Sequence, residues 1–158
     1  MPVNPVDMMR YGHRDIEHLL ARLRPDDWTA IALGVWTTKD LVGHLGAFEV
    51  RFADVLAGFV GEHPETELMS ANPATFNDEQ ATIRRDWPVG DVVAELADAH
   101  ARVMRLAGLI DGGIWTQAGT IPWYGPEYAL DELLVYQVYG HKREHKPQLE
   151  AVVERPGR

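Results

Sequence analysis

One segment of the sequence, VWTTKDLVGHLGAFEVRFADVLAGF, constrains the fold more than any other. Its large apolar residues recur at steps of three and four positions, which places them on one face of an α-helix. Thr37 is a good N-cap residue, and Asp40 three positions later gives the pattern of a capping box. The segment predicts a helix over residues 37–59 with one continuous buried face, formed by Leu41, Leu45, Phe48, Phe52, Val55 and Phe59.

Three further segments show the same helical spacing of apolar residues. They cover residues 6–24, 75–110 with a break near Pro88, and 126–150. Candidate strands are few and short, and are limited to VWTT and IPWYG. The sequence therefore predicts an all-α protein, most simply a four-helix bundle. Its length suits one domain, so we expect a single four-helix domain over residues 1–158.

Two connectors, residues 60–73 and 111–126, are longer than the turns that usually join neighbouring helices of a bundle. We therefore expect at least one long crossover connection along the bundle. The second connector is rich in aromatic residues, which predicts that it packs against the helices. These residues are Trp115, Trp123, Tyr124 and, just after the connector, Tyr128.

Charge and composition exclude several classes of function. The net charge is −9, and because nucleic acids and anionic membranes bind to basic surfaces, we expect neither as a partner. The sequence contains no cysteine, so disulfides, cysteine-ligated zinc and a cysteine nucleophile are excluded. Ser70 is the only serine, which leaves little material for a Ser/His/Asp triad. We expect a small-molecule substrate.

The beginning of the sequence, MPVNPVDMMRYGHRD, has no apolar core of the kind found in signal peptides. No apolar run approaches the length of about 18 residues that a membrane-spanning helix needs. We therefore expect a cytoplasmic protein.

Two histidines, His141 and His145, lie four positions apart in the last predicted helix, where both continue the apolar face. Residues at this spacing are neighbours on a helix surface, with Cβ atoms roughly 6 Å apart, so both imidazoles can reach one metal ion. Buried imidazole nitrogens need partners. Either a shared metal ion or hydrogen bonds to the backbone and to water would supply them.

A third histidine, His44, lies between Leu41 and Phe48 on the buried face of the second predicted helix. Three histidine ligands leave coordination positions for water or a substrate, as in a catalytic metal site. The sequence therefore predicts that His44, His141 and His145 hold one divalent metal ion. This ligand set suits Zn, Ni, Fe, Co and Mn almost equally, so the sequence does not identify the metal.

The other four histidines show weaker signals. His100 lies on an inner helix face and could be a fourth ligand, although a hydrogen-bonded core histidine is the simpler interpretation. The remaining three show no ligand spacing and are expected on the surface: His13, His18 and His63.

Several charged residues lie near the predicted site. Three glutamates could orient a ligand ring, but we expect all three to face solvent: Glu49, Glu132 and Glu144. Three basic residues of the last helix are interpreted as charges that favour a helix C-terminus: Lys142, Arg143 and Lys146. Because proline disfavours a helix interior, we expect the last regular turn to end near Pro147.

These segments resemble the DinB-like family, the DinB/YfiT-like metalloenzymes, which are related to the N-terminal domain of mycothiol-dependent maleylpyruvate isomerases. The two blocks that carry the likeness are WTTKDLVGHLGAFEVR and LDELLVYQVYGHKREHKPQLEAV, and the likeness spans about residues 5–153. The resemblance implies a four-helix bundle of non-standard connectivity, often dimeric. It also implies a divalent metal ion on a histidine triad, which by position falls on His44, His141 and His145.

The resemblance also bears on activity. Family members of known activity use low-molecular-weight thiols such as mycothiol or bacillithiol in transfer or isomerisation reactions. A related branch hydrolyses a reactive genotoxin. The resemblance therefore favours a thiol-dependent transferase or detoxifying enzyme with a thiol co-substrate. The sequence shows no counterpart of the C-terminal extension of the maleylpyruvate isomerases, so we expect a reaction other than theirs.

Three functions are consistent with these features. In our leading hypothesis, a bound divalent ion lowers the pKa of a thiol and so supplies a nucleophile for transfer at neutral pH. A second hypothesis is a hydrolase in which the same ion acts on water. The third is a non-catalytic, stress-associated protein that binds a metal ion or another ligand. A general base beside the histidines would discriminate, and the sequence identifies none.

Overall fold

Residues 4–158 are described by the computed structural model, and most of them are helical. The four predicted helical segments and the all-α class are confirmed. The helices are α1 (Pro5–Leu20), α2 (Thr38–Phe59), α3 (Phe76–Arg84), α4 (Val89–Ala107), α5 (Gly112–Trp115), α6 (Leu130–Leu134) and α7 (Gly140–Val153).

Helix α2 begins at the predicted capping box. The Asp40 N–H donates to Thr37 Oγ1 at 3.1 Å, and the Thr37 N–H donates to an Asp40 carboxylate oxygen at 2.9 Å. This reciprocal pair satisfies two N–H groups at the helix start. A short antiparallel pair of strands, β1 (Ile31–Leu33) and β2 (Trp36–Thr37), leads directly into the cap. The hairpin places Trp36 beside the first turns of α2.

Helices α3 and α4 meet at the predicted break near Pro88. The Lys39 ammonium group, on α2, donates to the backbone carbonyls of Arg85 at 2.7 Å and Trp87 at 2.8 Å. These carbonyls follow the end of α3, where backbone acceptors lack helical partners. Lys39 therefore holds the break against the beginning of α2.

The last helical segment, predicted over residues 126–150, begins at Leu130, ends at Val153 and is less regular than expected. Helix α6 continues through a π-helical turn (Val135–Tyr139) into α7. The expectation that the helix ends near Pro147 is wrong. Apolar burial beyond the proline outweighs the backbone hydrogen bond that the proline removes. The buried residues are Leu149, Val152 and Val153.

Helices α1 and α2 follow each other in the chain but have little direct contact. Each packs instead against α4 and α7, so α1 and α2 lie on opposite sides of the bundle. Helices α4 and α7 are likewise not neighbours. The connector of residues 108–129 crosses the bundle from α4 to α6, which continues into α7. The expected crossover connection is therefore present, and so is the non-standard connectivity.

Two apolar clusters form the core. The four long helices are α1, α2, α4 and the continuous helix of α6, the π-helical turn and α7, and each contributes to both clusters. One includes Met9, Phe52, Val103 and Leu134, together with Trp115 and Ile121 from the aromatic connector. The other includes Ile16, Leu45, Leu96 and Leu149. In each long helix a polar residue separates the two sets. These four residues, which we call the polar layer, are His13, Glu49, His100 and Lys142.

None of the described helices combines the length and the apolarity needed to cross a membrane. The cytoplasmic location stays a prediction.

Candidate metal centre

The structure brings together the three histidines that the sequence singles out. His44 lies on α2, and His141 and His145 lie on α7. The distance from His44 Nε2 to His141 Nε2 is 2.7 Å, and the distance from His145 Nε2 to His141 Nε2 is 3.1 Å. One nitrogen of each ring therefore faces a common point, and the cluster could hold a metal ion.

The hydrogen bonds of these rings favour a cation among the three nitrogens. His145 Nδ1 lies 2.7 Å from the side-chain oxygen of Gln148. Because that oxygen only accepts, Nδ1 of neutral His145 carries the proton, and Nε2 carries a lone pair. His141 Nε2 lies against two nitrogens, His44 Nε2 and His145 Nε2, but a ring nitrogen can donate one hydrogen bond or accept one. At least one of the two contacts is therefore not a hydrogen bond. A divalent cation removes this conflict, because it binds all three lone pairs.

The spacing of the nitrogens also fits a metal ion. Two ligands of a tetrahedral zinc ion, each about 2.0–2.1 Å from it, lie about 3.3 Å apart. The observed separations of 2.7 and 3.1 Å are slightly shorter than this value. Small outward movements of the rings would therefore accommodate an ion.

The rings of His44 and His141 are neutral at pH 7. Burial, with a contribution from neighbouring His145, lowers the pKa of His44 to about 4. Burial lowers the pKa of His141 to about 3, and nearby His44, His145 and Lys142 act in the same direction. Neutral imidazole is the form that binds a metal, so these two rings need not lose a proton to bind one at pH 7.

Aromatic side chains surround the histidine cluster. The ring centres of Trp36 and Phe48 each lie 4.9 Å from that of His44. Phe48 also lies 4.5 Å from His141 and 5.0 Å from the buried ring of Phe76. This packing fixes the orientation of the imidazoles and removes water from one side of the cluster.

A cleft of about 240 Å³ lies against the same Phe48 side chain. We call it the aromatic cleft. Its walls come from α2, from the aromatic connector and from the segment before His141. The residues that define it here are Phe48, Arg51, Trp123, Tyr124, Gln137 and Val138. Because Phe48 belongs to both features, the cleft adjoins the histidine cluster.

The expectation that Glu49 faces solvent is wrong, because this side chain is fully buried. Its carboxylate lies 2.8 Å from Lys142 Nζ and 3.0 Å from His100 Nδ1. Burial alone would raise the pKa of Glu49, but Lys142 and His100 together lower it to about 2. The carboxylate therefore stays charged and paired at neutral pH.

Lys142 and His13 also depart from the sequence-based interpretation. Lys142 is buried in the ion pair instead of lying among exposed charges at a helix end. His13 is buried and stacks on His100, with ring centres 3.6 Å apart. Burial and the positive charge of Lys142 lower the pKa of His13 to about 3. His100 is a hydrogen-bonded core histidine, as expected, and lies outside the three-histidine cluster.

A spacing signal for part of the polar layer is present in the sequence. Glu49 lies between Leu45 and Phe52 at steps of four and three, and His13 has the same relation to its apolar neighbours. This is the pattern that singles out His44. It was not sufficient for Glu49, because the sequence gives no indication of a partner for a buried charge.

The remaining charged candidates lie away from the cluster. Glu132 accepts a hydrogen bond from the Ala129 N–H at 2.8 Å and so caps α6. Lys146 Nζ lies 3.4 Å from Asp15. Four residues are exposed: His18, His63, Glu144 and Arg143. The sequence predicts exposure for the first three. The exposure of Arg143 agrees with its interpretation as a charge near a helix end.

Comparison with known protein families gives an independent result. The family described as mycothiol maleylpyruvate isomerase N-terminal domain matches residues 9–126. The chain belongs to this family. The match confirms the predicted relationship to the DinB/YfiT-like proteins. Comparisons with curated proteins and with solved structures give no match.

The match to the mycothiol maleylpyruvate isomerase N-terminal domain includes His44 but ends before His141 and His145. Helix α7 lies beyond the matched residues, and the structure, not the family match, places its two histidines beside His44. The three-histidine cluster therefore combines a residue of the matched region with two from the following helix.

Proposed function

We propose that the protein is a divalent-metal-dependent enzyme in which a low-molecular-weight thiol reacts with a small electrophile. His44, His141 and His145 hold the ion through their Nε2 atoms, and the aromatic cleft holds the electrophile. The observation that carries the proposal is the convergence of the three nitrogens, at 2.7 and 3.1 Å, beside this cleft.

The surrounding residues have distinct roles in this proposal. A divalent ion held here would lower the pKa of a thiol, so that a thiolate is present at neutral pH. Gln148 fixes the tautomer of His145, so that the Nε2 lone pair faces the cluster. Trp36 and Phe48 hold the imidazoles in place and limit the access of water.

Two observations favour thiol chemistry over hydrolysis. No carboxylate of residues 4–158 joins the three histidines, and the buried Glu49 is already paired with Lys142. A base to activate water is therefore not in place. The family description names mycothiol, which supports a low-molecular-weight thiol as the co-substrate. A thiol ionises more readily than water does, because the ordinary pKa of a thiol is about 8.5.

The first test is metal content. The wild type and the three variants His44→Ala, His141→Ala and His145→Ala are dialysed against dilute zinc and analysed by mass spectrometry. Loss of a ligand is expected to weaken binding at least tenfold, since even loss of an outer hydrogen-bond partner costs 10–100-fold. His63→Ala, an exposed histidine, is the matched control and should retain the wild-type content. Undiminished metal in the three ligand variants would contradict the proposal.

The second test is turnover of 1-chloro-2,4-dinitrobenzene by the zinc-loaded protein, with and without cysteine as the thiol. Turnover that requires both zinc and the thiol supports transfer. Turnover without the thiol would assign hydrolysis instead. Bound zinc without turnover of this or related electrophiles would favour the non-catalytic alternative.

A further inference from the structure

The aromatic cleft contains a cationic side chain that forms no ion pair with any carboxylate of residues 4–158. Arg51 is half-buried in the wall formed by α2. Its guanidinium carbon lies 5.4 Å from the ring centre of Phe76 and 5.9 Å from that of Trp123. Burial lowers the pKa of Arg51, and within the part of the chain that the structure describes no carboxylate counteracts this effect.

The other arginines in comparable positions are paired. Four arginines of residues 4–158 are not exposed. Arg84 contacts Glu95 at 2.6 Å, Arg102 contacts Asp54 at 2.6 Å, and Arg158 contacts Asp27 at 2.8 Å. Withdrawing a charge from water is costly unless an opposite charge compensates. Among these four, Arg51 alone makes no ion pair within residues 4–158 and lies over two aromatic rings instead, so its hydrogen-bond donors are available to a ligand.

The position of Arg51 relates it to the histidine cluster. It follows His44 on the same helix by about two turns, which is a distance of about 10 Å along the axis. Phe48 lies between them on the same face of α2 and lines the cleft. A molecule that extends from the cleft past Phe48 would therefore have Arg51 at one end and the histidines at the other.

We propose that Arg51 binds the carboxylate of a substrate whose flat, apolar body lies in the aromatic cleft. This inference rests on the function proposed above, because it assigns the far end of the same site. A guanidinium group matches a carboxylate with two parallel hydrogen bonds. Phe48, Trp123 and Tyr124 provide the aromatic surface for the body of the molecule.

A binding experiment can test this subsite without any catalysis. Cinnamate and cinnamamide have almost the same shape, but only cinnamate carries a charge. Calorimetry with the metal-free protein is expected to show about tenfold tighter binding of cinnamate, the usual worth of a hydrogen bond to a charged group. The Arg51→Gln variant should bind both molecules equally, and Arg51→Lys should retain part of the preference.

Arg14→Gln is the matched control, because Arg14 also lies over an aromatic ring, 4.8 Å from the centre of Tyr11, but is exposed and outside the cleft. It should keep the wild-type preference. Circular dichroism and thermal unfolding establish that each variant is folded. Equal binding of the two probes by the wild type, or an unchanged preference in Arg51→Gln, would overturn the assignment.

Metal-loaded protein separates this inference from the metal proposal. A preference for cinnamate that persists in His44→Ala supports the Arg51 subsite even if that variant binds no zinc. A preference that appears only with zinc and survives in Arg51→Gln would place the carboxylate at the ion and overturn the inference. In turnover assays, Arg51→Gln should raise the KM of an electrophile that carries a carboxylate more than that of 1-chloro-2,4-dinitrobenzene, which carries none.

Discussion

At the scale of single residues, the ion pair of Glu49 and Lys142 ties the two halves of the histidine cluster together. Glu49 is 2% exposed and Lys142 is 3% exposed. Glu49 lies on α2, which carries His44, and Lys142 directly follows His141 on α7. Such a pair adds little stability over a well-packed apolar pair, but removal of one partner leaves a buried charge uncompensated. We infer that the pair sets the alignment of α2 against α7.

The first prediction concerns this pair. Lys142→Met should reduce the free energy of unfolding by about 3–5 kcal/mol, because Glu49 then remains buried and charged. The double variant Glu49→Leu/Lys142→Met should recover most of the loss. Urea denaturation of the two single variants and the double variant measures the coupling. Lys146→Met is the control, because its contact with Asp15 is partly exposed and is worth at most about 1 kcal/mol. Equal losses for Lys142→Met and Lys146→Met would contradict the prediction.

The candidate site was only partly predictable from single residues. Helical spacing places His44, His141 and His145 on buried faces, because a face is a local property of the sequence. The partner of a buried charge is not local: Glu49 and Lys142 come together only through packing of α2 against α7. The exposed position predicted for Glu49 was therefore wrong, although its spacing marked an inner face.

At the scale of secondary-structure elements, the π-helical turn controls where α7 presents its histidines. The turn ends at Gly140, whose N–H bonds to the Val135 carbonyl five positions earlier. A Cβ atom on Gly140 would lie only 2.5 Å from that carbonyl oxygen. The turn therefore requires glycine directly before His141. π-Helical turns inserted in α-helices are frequent at functional sites.

The second prediction is that Gly140→Ala disturbs the π-helical turn and reduces both stability and zinc content. Overpacking of this kind costs typically 1–3 kcal/mol. Gly58→Ala is the matched control, because Gly58 lies in α2 and a Cβ atom added there would have open space within 4 Å. It should be neutral or stabilising by up to about 1 kcal/mol. Thermal unfolding and metal analysis of both variants provide the comparison, and wild-type zinc content in Gly140→Ala would show that the turn does not position the histidines.

Element boundaries were predictable where local signals specify them. The capping box at Thr37 and the break near Pro88 both lie where the sequence places them, because a cap and a proline act on the adjacent backbone. The π-helical turn was not predictable, since Leu134, Val138 and His141 step by four and three as in an ordinary helix. The helix also continues through Pro147, because burial beyond it is a tertiary effect.

At the scale of the whole molecule, the polar layer divides the core into two apolar clusters. Its four residues contact one another across all four long helices through the Glu49 carboxylate, the Lys142 ammonium group and the stacked histidines. Fold class and family follow from sequence patterns, whereas this layer depends on how four helices meet. The possible homodimer that the family resemblance implies and the stress-associated role stay predictions.

The third prediction is that the metal-free protein loses stability as the pH falls below 6.5. In the unfolded chain histidine titrates near 6.5, whereas in the folded protein the pKa is about 3 for His13, about 4 for His44 and about 3 for His141. Between pH 6.5 and about 4 the unfolded chain therefore binds more protons, which favours unfolding. Each histidine contributes up to about 1.4 kcal/mol per pH unit.

Urea denaturation in the presence of a chelator, at pH 7.5, 6.5, 5.5 and 4.5, measures this dependence. His13→Gln should reduce the slope of the unfolding free energy against pH by up to about 1.4 kcal/mol per pH unit, the contribution of one histidine. His18→Gln, an exposed residue of the same helix, should leave the slope unchanged. Stability that is constant from pH 7.5 to 4.5 would show that these rings accept protons in the folded state.

The separation of the proposed ligands along the chain affects how the protein is made in a cell. His44 and His141 lie 97 positions apart. At a synthesis rate of about 5–20 residues per second, the ribosome adds His141 roughly 5–20 s after His44. The ligand set is thus completed only once α7 has been synthesised, so the ion is acquired by a chain that already contains all the long helices. The metal found in recombinant protein should accordingly follow the divalent ions supplied in the growth medium, because availability decides as much as affinity for such ligands.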